Sequence, residues 1–74
     1  MGGGDIKALR AKLDLSQADL AQALGVKGRL VVFRWEAGQR EPSETIKRFV
    51  RLLNAMSDKD ARRLLRRLED FGEG

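Results

Sequence analysis

The chain contains no cysteine and no histidine. Disulfides, thiolate nucleophiles, zinc held by Cys or His, and imidazole acid/base catalysis are therefore excluded. No apolar run approaches the roughly 18 residues needed to span a bilayer. The opening Met1-Gly-Gly-Gly-Asp5 lacks the basic start and apolar stretch of a signal peptide. A cytoplasmic protein with no membrane partner is expected. The carboxylates fall mainly at helix starts and on solvated faces, without visible convergence, so no enzyme activity, cofactor or metal is expected either.

What is present is a short, charged, helix-patterned chain. Its 74 residues hold one domain, and a domain of that size buries only about 60% of the surface its unfolded chain exposes. The core must be thin. Apolar residues make up 42% and charged residues 35%, which is a globular composition because the apolar residues recur at helical spacing. The net charge of +4 favours polyanionic partners such as nucleic acid or anionic membrane, although it also suits an ordinary soluble surface.

Residues 1–4 are expected to form a flexible glycine-rich leader and residues 72–74 a flexible tail. From Asp5 onward, Ile6, Leu9 and Leu13 trace one helical face, which predicts a first helix from about Asp5 to Lys12. Ser16 opens a second helix. Its hydroxyl is placed to cap the amide of Asp19, whose carboxylate reaches back, giving the Ser-x-x-Asp variant of a capping box. Leu20, Ala21 and Leu24 form the expected buried stripe, and Gly25 supplies a left-handed stop, so this helix covers about Gln17 to Leu24.

Propensity alone reads the β-branched and aromatic run Leu30 to Phe33 as a strand. Such a strand would have no partner anywhere in the chain, whereas Val32 and Trp35 fall three apart and Gly38 offers another stop. A third helix is therefore expected. Pro42 and Ser43 start a fourth, with Ile46, Phe49, Val50 and Leu53 as its stripe. After a joint at Asn54 to Met56, Ser57 and Asp60 repeat the capping-box spacing and begin a fifth helix to about Phe71. Its apolar residues are Ala61, Leu64, Leu65, Leu68 and Phe71. The fold class is all-α with five helices.

The stretch Leu15-Ser-Gln-Ala-Asp-Leu-Ala-Gln-Ala-Leu-Gly-Val26, followed by Arg34-Trp-Glu-Ala-Gly38 and Pro42-Ser43, resembles the Cro and lambda-repressor-like (Xre-type) helix-turn-helix family. The resemblance covers roughly Ile6 to Leu53. It joins a capped helix start with Gln17, a Leu-Ala pair, a turn glycine and a Trp-Glu-x-Gly exit. It implies a lambda-repressor-like DNA-binding domain over residues 5–56, with helices 2 and 3 as the helix-turn-helix. Residues 57–71 then form a C-terminal helix that packs on the domain or dimerises.

The same resemblance implies a sequence-specific regulator of transcription, repressor-like, that binds double-stranded DNA as a homodimer. Arg29, Leu30 and Arg34 would reach base edges. Gln17, Lys27, Gly28, Phe33, Gln39 and Arg40 would face the DNA backbone. Arginine can donate two hydrogen bonds to guanine, while Leu30 and Phe33 can only touch thymine methyls or sugar. Arg10 and Glu36 are expected to pair and tie helix 1 to the recognition helix. Ala21, Gly25 and Trp35 serve structure: a close helix crossing, a turn and a core position.

Ten residues separate Gly25 from Glu36, one more than is usual in the family, and Gly28 is expected to absorb the extra one. The apolar run Leu30 to Phe33 also replaces residues that are commonly polar. Two alternatives stay open: an antitoxin-type DNA-binding subunit with a toxin as partner, and a protein-interaction module that holds a partner protein on this apolar face. Arg62, Arg63, Arg66 and Arg67 read most simply as a solvated face.

Overall fold

The apolar spacing resolves into five helices in a computed structural model that describes residues 3–72: α1 (Gly3–Leu13), α2 (Gln17–Leu24), α3 (Arg29–Glu36), α4 (Glu44–Ala55) and α5 (Asp58–Gly72). No strand occurs among the described residues. The run Leu30 to Phe33 is helical despite its β-propensity, because Val32 and Trp35 bury on one side of it and no strand is there to pair with. Gly3 and Gly4, assigned to the leader, belong to the first turn of α1, and Gly72, assigned to the tail, ends α5. The remainder of that leader and tail, residues 1, 2, 73 and 74, lies outside the described residues.

Side chains start α2, α4 and α5, and left-handed residues end α1, α2 and α3. Ser16 Oγ accepts from the amide of Asp19 at 3.0 Å while the Ser16 amide donates to Asp19 Oδ2 at 3.3 Å, a complete capping box. Ser43 Oγ accepts from Ile46 N at 3.2 Å at the start of α4, and Ser57 Oγ from Asp60 N at 3.2 Å at the start of α5. At the end of α2, Gly25 adopts φ 73° and the Val26 amide reaches back to Ala21 O at 3.0 Å. The end of α3 repeats this pattern with Gly38 at φ 76° and Gln39 N donating to Arg34 O at 2.9 Å. α1 ends the same way without a glycine. Asp14 takes φ 55°, and Leu15 N donates to Arg10 O at 2.9 Å.

The core gathers Ile6, Leu9 and Leu13 of α1, Leu20 and Ala21 of α2, Val32 and Trp35 of α3, Val50 and Leu53 of α4, and Ala61 and Leu65 of α5. In α2 the third buried residue is Ala23, and Leu24 is only partly covered. The cause is α5, which packs against α2 as well as α1 and covers the Ala23 side. The apolar face of α5 is thus largely used within the chain, although Phe71 at its end is exposed. α4 is fastened to α1 by Lys12, whose Nζ donates to the carbonyls of Leu53 (3.2 Å), Asn54 (2.9 Å) and Met56 at the C-terminal end of α4. A cation at that end also complements the helix dipole. Asn54 Nδ2 returns a bond to Asp5 O at 3.1 Å.

α2 and α3 cross closely, with Ala21 fully buried between Leu20 and the surrounding core. Ala21→Leu inserts three carbons where no space exists. A loss of about 1–3 kcal/mol in folding free energy is expected from urea denaturation. A stability equal to the native chain's would mean that the crossing has room to spare.

Candidate nucleic-acid interface

α3 is eight residues, Arg-Leu-Val-Val-Phe-Arg-Trp-Glu, and so about 12 Å long. Val32 and Trp35 anchor it to the core. At 3.6 residues per turn, Leu30 then projects almost directly away from that anchor, with Phe33 and Arg34 about 50° to either side and Arg29 about 90° round on the Phe33 side. All four are exposed, Leu30 to 54% and Phe33 to 45%. Among the described residues, neither Arg29 nor Arg34 has an ion-pair partner. An outward face of two unpaired arginines and two large apolar side chains is what α3 offers to a ligand.

The helix is held at its far end by a fork. Arg10 of α1 donates from Nε to Glu36 Oε2 at 2.6 Å and from Nη2 to Oε1 at 2.9 Å, and its Nη1 donates to Leu15 O at 3.2 Å. Glu36 is 8% exposed and Arg10 20%, so the pair is largely withdrawn from water. The guanidinium bonds hold the Glu36 carboxyl below the usual carboxylate range, against an opposing effect of burial. A bond from Gln17 and the charges of Arg10 and Lys7 add in the same direction. Glu36 in turn raises the affinity of Arg10 for its proton.

Gln17 stands in the first turn of α2, as its position after Ser16 requires, and its Nε2 donates to Glu36 Oε1 at 3.4 Å. It therefore joins α2 to the fork that links α1 and α3. A groove runs beside this cluster, bordered by Lys7, Gln17 and Phe33. On the opposite flank of α3 a second groove brings together Lys27, Arg34 and Arg40 over Val31 and Pro42. Arg29 and Gln39 are exposed but border neither groove.

Gly28 precedes α3 as its N-cap, in extended backbone at φ 167°, with no side-chain bond to the first turn. From this extended joint α3 begins at Arg29. Lys7 is the residue that the sequence reading passed over. It lies three positions before Arg10, hence on the same side of α1, and that spacing was the available signal. Arg62, Arg63, Arg66 and Arg67 are exposed on α5, which packs on α1 and α2.

A family model described as Helix-turn-helix matches residues 6–56, which takes in the Arg10–Glu36 fork, both grooves and all of α3. No curated protein and no solved structure matches the chain. Among the described residues, no helix is long and apolar enough to cross a membrane.

Proposed function

The chain belongs to the helix-turn-helix family, in its Cro/C1-type, Xre-like branch, and on that premise we propose that it is a sequence-specific transcriptional repressor reading the major groove of duplex DNA with α3. The observation that carries this reading is the exposed, unpaired state of Arg29 and Arg34 on the outward face of a helix fixed from behind by Arg10 and Glu36. A planar guanidinium held out in this way suits guanine O6 and N7. Leu30 completes the base-contacting set.

The surrounding residues provide position. Lys27 and Arg40 flank Arg34 along one groove, and Gln17 borders the other, so the DNA backbone on each side of α3 meets one of these rims. Gly28 and Gln39 stand at the two ends of α3, where the backbone of the protein comes nearest to phosphate. One eight-residue helix spans only a few base pairs, and two copies on half-sites about 34–36 Å apart give the length of site that a regulator needs. The protein acts in the cytoplasm, where that DNA is accessible.

Substitution separates the roles. Arg34→Ala is expected to cost about 1–3 kcal/mol of binding and to relax base preference at one position of the site. Lys27→Ala should weaken binding to all sequences alike and flatten the salt dependence. Binding-site selection from random duplexes with each variant provides the measurement. Identical base preferences for the native chain and Arg34→Ala would remove Arg34 from the reading set. A second reading, in which the same face holds a partner protein such as a toxin, draws support from the exposure of Leu30 and Phe33. It requires that neither Arg34→Ala nor Lys27→Ala alter DNA affinity.

A further inference from the structure

The most outward point of α3 is apolar. Leu30 projects opposite the buried Val32 and Trp35, and Phe33, one turn on, extends the same patch. Neither side chain carries a donor or acceptor, so hydrogen bonding cannot be what they do at a base edge. The major groove presents one apolar group, the C5-methyl of thymine, and 5-methylcytosine carries the same group at the same place.

Resting on the DNA-reading assignment of α3, we propose that Leu30 and Phe33 form a methyl-reading patch that selects a thymine within each half-site. The neighbouring charges favour a groove over a protein surface as the occupant. Arg34 adjoins Leu30 on one side, with Lys27 and Arg40 in the groove beyond it, and none of the three has an ion-pair partner among the described residues. An apolar protein partner seated on Leu30 would strip water from cations it could not pair. A duplex brings phosphates to the rim and a methyl to the centre, matching each group with its complement.

Deoxyuridine provides the test, because it keeps the Watson–Crick pairing of thymine and lacks only the methyl. Sites are first selected from random duplexes with the full chain, and each thymine of the preferred duplex is then replaced singly. At one position per half-site the replacement is expected to weaken binding about fourfold, the factor that corresponds to ~0.8 kcal/mol for one buried methyl-sized group. With Leu30→Ala or Phe33→Ala the thymine and uracil duplexes should bind alike, a coupling that a structural role for these exposed side chains would not produce. Circular dichroism of both variants verifies that the helices are intact. In a parallel arm, cytosine and 5-methylcytosine are compared at the same position, and the methylated base should bind more tightly by a similar factor.

Equal binding of thymine and uracil duplexes at every position overturns the proposal. So does a methyl effect that persists undiminished in both variants, or one confined to the cytosine pair. Unchanged affinity and base preference in Leu30→Ala and Phe33→Ala would assign the patch to a partner protein and overturn it too. Failure to enrich any duplex would instead defeat the DNA-reading assignment itself, and the methyl-reading patch with it.

Discussion

Arg10→Ala lowers the folding free energy by about 2–4 kcal/mol. Removing one member of a buried pair strands the other charge, at a cost of about 3–5 kcal/mol for full burial. Arg10 retains 20% exposure and Glu36 8%, so solvent screens part of that cost and the lower range applies. Three bonds disappear at once, two to the Glu36 carboxylate and one to Leu15 O. Replacing both partners, as in Arg10→Met with Glu36→Met, should cost much less than the two single substitutions together, because no charge is left unpaired. Urea denaturation followed by Trp35 fluorescence gives these numbers. A loss below about 1 kcal/mol in Arg10→Ala would mean that the fork does not hold the fold.

The same pair sets an acid limit. Because the guanidinium bonds lower the folded-state pKa of Glu36, its contribution is fully present above the unfolded-state value of about 4.3. It is lost as pH falls through the depressed folded value. The native chain should therefore lose stability on acidification below about pH 4 more steeply than Glu36→Gln. Arg10 is shifted the opposite way, upward. Its contribution is full below the ordinary arginine range and lost only at pH above it, so no alkaline transition arises from this pair under usual conditions.

Trp35→Ala costs about 3–5 kcal/mol, the range for deleting a buried large aromatic. Trp35 is 7% exposed and, with Val32, is what fixes α3 to the core. Small domains have about 5–15 kcal/mol of stability in total, and a thin core places this one towards the lower end. Trp35→Ala should therefore be substantially unfolded at room temperature, by circular dichroism because the fluorophore is gone. Trp35→Phe should fold and bind DNA with native base preference, since the side chain faces inward. A folded, stable Trp35→Ala that had lost only DNA binding would instead place the indole in the interface.

The helices were legible in the sequence where a side chain or a glycine punctuates them. Ser16 with Asp19, Gly25, Gly38, Ser43 and Ser57 each stand where a cap or stop was expected. The end of α1, expected at about Lys12, comes at Leu13, although Asp14 and not a glycine takes the left-handed position there. The burial of Ala23 in place of Leu24 was hidden. Periodicity identifies an apolar face but not which neighbour covers it, and α5 approaches α2 from the Ala23 side.

The candidate site divides along the same line. The pairing of Arg10 with Glu36 followed from resemblance, and the structure shows it as a two-bonded fork. The participation of Gln17 in that fork could not be read locally, since it joins residues 19 positions apart through three different helices. The cradle of carbonyls around Lys12 was equally hidden, because its partners lie more than 40 positions away. Leu30 and Phe33 are exposed, as their spacing from the buried Val32 and Trp35 predicts.

The most direct test of DNA reading by α3 is the dependence of duplex affinity on salt, measured for the native chain on its selected site. Lys27, Arg29, Arg34 and Arg40 form the exposed cationic set on and beside α3. Lys27 and Arg40 are the two assigned to phosphate, so log K should fall against log salt with a slope of about −2 per protomer. Neutralising Lys27 should reduce that slope by about one. A slope near zero, with no duplex preferred over another, would contradict a DNA-reading role for this face.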